Sequence, residues 1–159
     1  AQGVVNHTDW SIGLSTFVIS IFVLLMWIPL KQKPGMGTIL NAFIIALTIE
    51  FSVFYLPYPE TYPMQILQVV VGVLIIGIGS GFYLIANLGA GPRDGLMIGL
   101  QKKTNLPIYS IRTIIEVSVV IVGWLMGGVV GLGTAIFAFG IGPSVALGLS
   151  MVGKASKTI

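Results

Sequence analysis

Apolar stretches of roughly span length alternate with short polar segments along this chain. Five of them stand out, at 14–30, 37–56, 64–86, 108–126 and 132–152. A helix crossing about 30 Å of hydrocarbon needs about 20 apolar residues. The first stretch is near the short limit, and residues 11–13 can extend it. The pattern predicts an all-α integral membrane protein with five transmembrane helices, forming a single membrane domain over 1–159. Residues 1–13, with Asn6, His7, Thr8 and Asp9, read as a polar loop, and Trp10 suits a membrane interface.

One stretch departs from the alternation. Of the chain's eight basic and five acidic residues, six lie between 87 and 116: Arg93, Asp94, Lys102, Lys103, Arg112 and Glu116. Gly89, Gly91 and Pro92 interrupt the third apolar run, so a continuous helix is not expected there. Residues 95–103 read as a short amphipathic helix. Nine residues rise only about 14 Å, so this helix does not cross the membrane. Asp94 is expected to cap it. Arg93, the next residue, points elsewhere and is free for lipid headgroups, Glu116 or an anionic ligand. Arg112 and Glu116 are four residues apart, which puts them on one helical face within ion-pair reach. Their pair either seats the fourth helix or forms a charged gate or a substrate contact. Asn87, at the head of the stretch, completes the candidates for this region.

Two further polar residues lie inside the second span. Asn41 is one turn from its start, where hydrogen bonding between helices is the default role. Glu50 is six residues from its end, about 9 Å deep. It is either an interfacial residue reaching outward or a carboxylate that needs a partner. Glycines and serines recur at four-residue spacing: Gly77 and Gly81; Gly123, Gly127 and Gly131; Gly140, Ser144 and Gly148. Such faces let helices approach closely. Pro143 is expected to kink the last helix.

Composition narrows the function classes. The chain is 55% hydrophobic and 8% charged, against about a quarter charged for a soluble domain. The basic residues sit in short connections, a pattern of membrane topology that argues against nucleic-acid binding. With no cysteine and one histidine, neither a catalytic nor a metal site is expected, and no cofactor motif is present. Gly89-x-Gly91 lacks the strand and spacing of a dinucleotide fingerprint. Lys31 and Lys33, then Arg93, Lys102 and Lys103, then Lys154 and Lys157 fall on one side of a five-span arrangement. That side is therefore read as cytoplasmic, with the C-terminus inside.

The chain also matches itself at an offset of 96 residues. Gly35-Met36-Gly37-Thr38 falls on Gly131-Leu132-Gly133-Thr134, with Gly3 on Gly99 and Thr8 on Thr104. Because the two GxGT corners are expected on opposite membrane faces, the copies read as inverted: 1–56, incomplete, and 64–152. The second copy has a leading span that the first lacks, so three plus three spans are expected in an intact protein. Inverted repeats with a site between them are a common construction in secondary transporters.

Finally, the segments WIPLKQKPGMGTILNA, LGAGPRDGLMIGL and IRTIIE with GWLMGGVVGLGTAIFAFGIGP resemble the bacterial YczE/YyaS/YitT-like integral membrane proteins, over nearly the whole chain. The resemblance implies a bacterial inner-membrane protein with a longer N-terminus. It implies little about activity, and it puts Glu50 where relatives often carry Asp. The function expected is a small secondary transporter or permease-like protein of a small-molecule substrate. The alternative is a non-transporting accessory or scaffold that binds other membrane proteins. Beyond the lipid bilayer, a homo-oligomer or a membrane partner stays open.

Overall fold

In a computed structural model the described residues are 1–55, 59–85 and 88–156. They form seven helices: α1 Gln2–Val5, α2 Ile12–Leu25, α3 Met36–Tyr55, α4 Tyr62–Ile85, α5 Pro92–Thr104, α6 Ile108–Leu125 and α7 Leu132–Ser156. No strand occurs among the described residues. Four helices are long and apolar enough to cross a membrane: α3, α4, α6 and residues Leu132–Met151 of α7. Their surfaces are largely apolar, with Phe54 83%, Ile75 65% and Phe139 64% exposed. Contiguous exposure on that scale fits hydrocarbon rather than water. The protein is a multi-pass membrane protein.

The first expected span behaves differently. α2 has 14 residues, about 21 Å of helix, and falls short by itself. The path continues past Leu25 in tighter i→i+3 turns: Trp27 N donates to Leu24 O at 3.0 Å and Leu30 N to Trp27 O at 3.0 Å. The reversal comes at Lys31, whose φ is +53°. Residues 1–13 are not a plain loop either, since they contain α1 and the start of α2, which Ser11 caps by accepting from Leu14 N at 3.2 Å.

Five helices share one core. Val23 comes from α2 and Trp27 from the turns that follow it, Val73 from α4, Leu96 and Met97 from α5, Ile111 and Ile115 from α6, and Ile141 and Val145 from α7. The broadest packing is between α4 and α7, and small residues make it possible. A Cβ on Gly77 would overlap the Ser144 side chain, and one on Gly81 the Gly148 backbone. Ser144 Oγ donates to Val73 O at 3.0 Å, buried in the contact. The expected packing role of Gly77, Gly81, Ser144 and Gly148 holds. Gly123, Gly127 and Gly131 do not form a packing face. Nothing stands within 4 Å of a Cβ at Gly123 or Gly131, while Gly127 has φ +76° and ends α6. Pro143 lies within α7 without ending it.

Positions 96 residues apart share local structure. Gly35 N donates to Thr38 Oγ1 at 3.1 Å, and Gly131 N to Thr134 Oγ1 at 3.4 Å. Thr8 and Thr104 each donate to the carbonyl four residues back, both at 2.8 Å. Gln32 N reaches Trp27 O at 3.2 Å, and Gly128 N reaches Gly123 O at 2.8 Å. Lys31 and Gly127, the two left-handed residues at these reversals, are also 96 apart.

The α4–α7 contact gives a paired prediction, read by thermal unfolding in detergent. Gly77→Leu should cost about 1–3 kcal/mol or more, because backbone and Ser144 occupy the space. Gly79→Ala, which meets nothing within 4 Å, should leave stability unchanged or raise it by up to about 1 kcal/mol.

Candidate functional site

The interruption after α4 is a stretch of irregular backbone at 88–91, and backbone polar groups away from water must find partners. Leu88 O accepts from Gly37 N at 3.0 Å, so the first turn of α3 satisfies it. Gly89 has φ +117° and lies against Gly35 and Thr38. A Cβ on Gly37 would come within 2.7 Å of Leu88 O. The GxGT corner is therefore also the dock for the break. Asn87 lies outside the described residues.

α5 begins at Pro92, three residues before the start expected from sequence, with proline at its first position. Asp94 therefore does not cap it. The N-cap is Gly91, with no side-chain bond, and Asp94 lies within the first turn. There its charge suits the helix dipole, but its partner is on α6. Asn105, left-handed at φ 57°, ends the helix.

Trp27 fixes the start of α5. Its Nε1 donates to Pro92 O at 2.9 Å, fully inside the protein, and its ring lies where a Cβ at position 95 would be. Only glycine allows that approach. No local signal connects residues 68 positions apart, and from sequence Trp27 only marks the end of the first apolar stretch.

Four charged residues then join α5 to α6. Arg112 Nη1 donates to Asp94 Oδ1 at 2.7 Å, and Arg112 Nη2 lies 3.2 Å from Glu116 Oε1. Arg93 Nη1 lies 3.3 Å from both Glu116 oxygens. Asp94, Arg112 and Glu116 are 7%, 4% and 3% exposed. The Arg93 side chain is 33% exposed. The network holds two positive and two negative charges, which is the condition for burying them at all. Burial raises the Asp94 carboxyl above the usual carboxylate range; Arg112 opposes the rise and Glu116 adds to it. The expected Arg112–Glu116 pair is present. Of the partners open to Arg93, the structure gives it Glu116.

The remaining candidates lie apart from this network. Glu50 is exposed and accepts from Gly13 N at 2.9 Å, tying α3 to the first turn of α2. It borders an apolar groove of about 410 Å³ lined by Gly13, Phe17, Phe43 and Ala46. Asn41 lies half-buried beside Gly91 and Tyr83, at a smaller groove of about 220 Å³ with Leu88 and Gly89.

Residues 1–149 match the model of a family of unknown function, DUF6198. An uncharacterized protein of Haemophilus influenzae is 42% identical over 154 residues, 97% of this chain and 71% of its own length. The uncharacterized membrane protein YczE of Bacillus subtilis is 35% identical over 130 residues, and the match covers 82% of this chain but only 59% of YczE. YyaS of the same organism is 22% identical over 136 residues, 83% of this chain and 68% of its own length. The resemblance read from the sequence motifs is thus shown. No solved structure matches.

Two outcomes test the site as built, both read by thermal unfolding. Glu116→Gln leaves two guanidinium groups short of a counter-charge and should cost about 3–5 kcal/mol, whereas Arg93→Gln, at the exposed edge, should cost under about 1 kcal/mol. Gly95→Ala should destabilise by several kcal/mol through Trp27, and Trp27→Phe, which removes the bond to Pro92 O, by about 1–2 kcal/mol.

Proposed function

The chain belongs to DUF6198, a family of unknown function, and from that premise we propose that it is a small secondary transporter or permease-like protein. Its polar site is the network between α5 and α6. The observation that carries this reading is the sharing of Glu116 by two arginines, one of them loosely held. Arg93 can leave, because Glu116 keeps Arg112 at 3.2 Å and the Arg93 contacts are both 3.3 Å at a side chain one-third exposed. Its departure leaves Asp94 and Glu116 with Arg112 alone, one negative charge in excess. A proton or small cation restores neutrality there, while the freed guanidinium can take an anionic solute. The two events are coupled through one charge balance. An interrupted helix beside the site, with the start of α5 next to Arg93, is the construction transporters use for charged substrates.

The inverted two-fold relation belongs to the same reading. It is supported by the bonds that recur at 96 residues and by reciprocal packing. A Cβ on Gly3 would meet Met126, and a Cβ on Gly99 would meet Leu30; both pairs of positions are 96 apart. α1 packs on α2 and α6, as α5 packs on α6 and α2. With residues 26–30 extending α2, this gives five spans, with the basic connections and the C-terminus in the cytoplasm of a bacterial inner membrane. The reading is non-enzymatic.

A second reading, the membrane accessory or scaffold, is favoured by one observation. All four charged residues come from α5 and α6, and the two grooves described above flank α3 instead. In that case the network only fastens two helices.

A thermal-shift screen of the purified protein against metabolites and ions separates the two. A transported solute should raise the Tm of the wild type and not that of Arg93→Gln, whose own Tm stays near wild type. No shift with any compound, and an unaltered phenotype for Arg93→Gln, favours the scaffold. For topology, cysteines replacing Lys33 and Lys102 should resist an impermeant reagent in intact cells while one replacing Glu60 reacts. Labelling of Glu60→Cys and Lys102→Cys from the same side removes both the five-span arrangement and the inversion.

A further inference from the structure

We infer that the face of α3 formed by the exposed Ile44, Ile45 and Thr48 and the half-buried Ser52 seats a further membrane-spanning helix. That helix carries a small-residue pair four apart, and the part of a longer gene product ahead of Ala1 supplies it. The inference rests on the repeat put forward above and makes it specific.

α3 and α7 occupy positions 96 residues apart, and one flank of each is used alike. Ala46 O lies 2.7 Å from where a Cβ on Gly13 would be, and Tyr109 O lies 2.5 Å from where a Cβ on Gly142 would be. Residues 13 and 109 correspond, as do 46 and 142, so α2 sits on α3 as α6 sits on α7. The other flank of α7 is covered by α4 through Gly140, Ser144 and Gly148, with Ile141 fully buried beside them. Their counterparts on α3 are Ile44, Thr48, Ser52 and Ile45. Ile44 is 56% exposed and Ile45 44%, against 0% for Ile141. Thr48 and Ser52 preserve the small pair at four-residue spacing that α4 meets at Ser144 and Gly148. Ser144 spends its hydroxyl on the Val73 carbonyl of the neighbouring helix, whereas Thr48 Oγ1 donates to Ile44 O of its own helix at 2.8 Å. A small-residue face of this kind gains by close helix approach in lipid, where aliphatic side chains gain nothing by association alone.

Chain order places the occupant. α4 runs directly before α5, and α5 corresponds to α1 through Gly3 with Gly99 and Thr8 with Thr104. The counterpart of α4 therefore precedes α1. The relatives have room for it: 154 matched residues make up 71% of the Haemophilus influenzae protein, which leaves more than twice the about 20 residues a span needs.

The test is photo-crosslinking in native membranes, with p-benzoylphenylalanine replacing Thr48 in the full-length gene product. Ile44 serves as a second site should the Thr48 variant fold poorly, and Phe54, 83% exposed, as the control. The expected result is an adduct within the same chain, mapped ahead of Ala1, several-fold above that from Phe54. An adduct to a second copy overturns the inference, as does labelling of lipid alone. A gene product with no apolar run of about 20 residues ahead of Ala1 overturns it too. The repeat has its own readout in two cysteine pairs, Gly3→Cys with Met126→Cys and Gly99→Cys with Leu30→Cys. If both pairs bridge while Thr48 labels only lipid, the repeat stands and the inference fails. If neither bridges, the repeat fails as well.

Discussion

Arg112 sets the terms for the rest of this molecule. A guanidinium only 4% exposed, in a chain whose spanning helices present largely apolar surfaces, has to be neutralised within reach of its own side chain. Asp94 at 2.7 Å and Glu116 at 3.2 Å do this. Glu116 is one turn along on the same helix, so it adds nothing to tertiary structure by itself. Asp94 is on α5, and its bond to Arg112 is what fixes that short helix against α6. Arg93, one-third exposed at the edge of the network, adds a second cation that balances the charges. The Asp94–Arg112 bond orients α5 on α6, Trp27 fixes where α5 starts, and the head of α3 docks the break before it.

The break has a matching constraint. A chain that stops being helical at residue 88 exposes carbonyl and amide groups, and each must be satisfied by protein. The start of α3 has amides to spare, as every helix start does, and Gly37 gives one to Leu88. Trp27 takes the carbonyl of Pro92. These contacts call for glycine wherever backbones or rings approach too closely for a Cβ, at 37, 89 and 95. The abundance of glycine thus has two separate causes in this chain: close helix approach in α4 and α7, and clearance around the break.

Helical class, four of the apolar spans and the interruption were legible in the sequence because they depend on local quantities: length of apolar runs, glycine and proline placement, and a four-residue charge spacing. The Arg112–Glu116 pair is local in the same sense. The start of α5 was not, because Pro92 initiates a helix as readily as it follows a break, and Asp94 fits a cap as well as a first turn. Only the partner on α6 decides between them. Trp27 against Gly95 was also hidden, since it is a match of shapes between distant segments. The 96-residue offset was visible through GxGT, with Gly3 and Thr8 in register. The left-handed reversals at Lys31 and Gly127 correspond as well, but a lysine at one and a glycine at the other conceal it, because the conformation is common to both while the residue type is not.

The bond from Gly37 to Leu88 has a mechanical meaning. It ties the head of α3 to the tail of the interruption, while Trp27 ties the end of the α2 path to the head of α5. α2, α3 and α5 are thus strapped into one block. α4 and α7 are fused into another by their small residues, with α6 fitted to α7 at Gly142. Within the folded frame, the seam between the two blocks carries the four-charge network beside part of the shared apolar core. Ionic contacts can change partners without a change of shape, and interlocked ones cannot. The seam between α5 and α6 is thus the joint where the two blocks meet through exchangeable contacts.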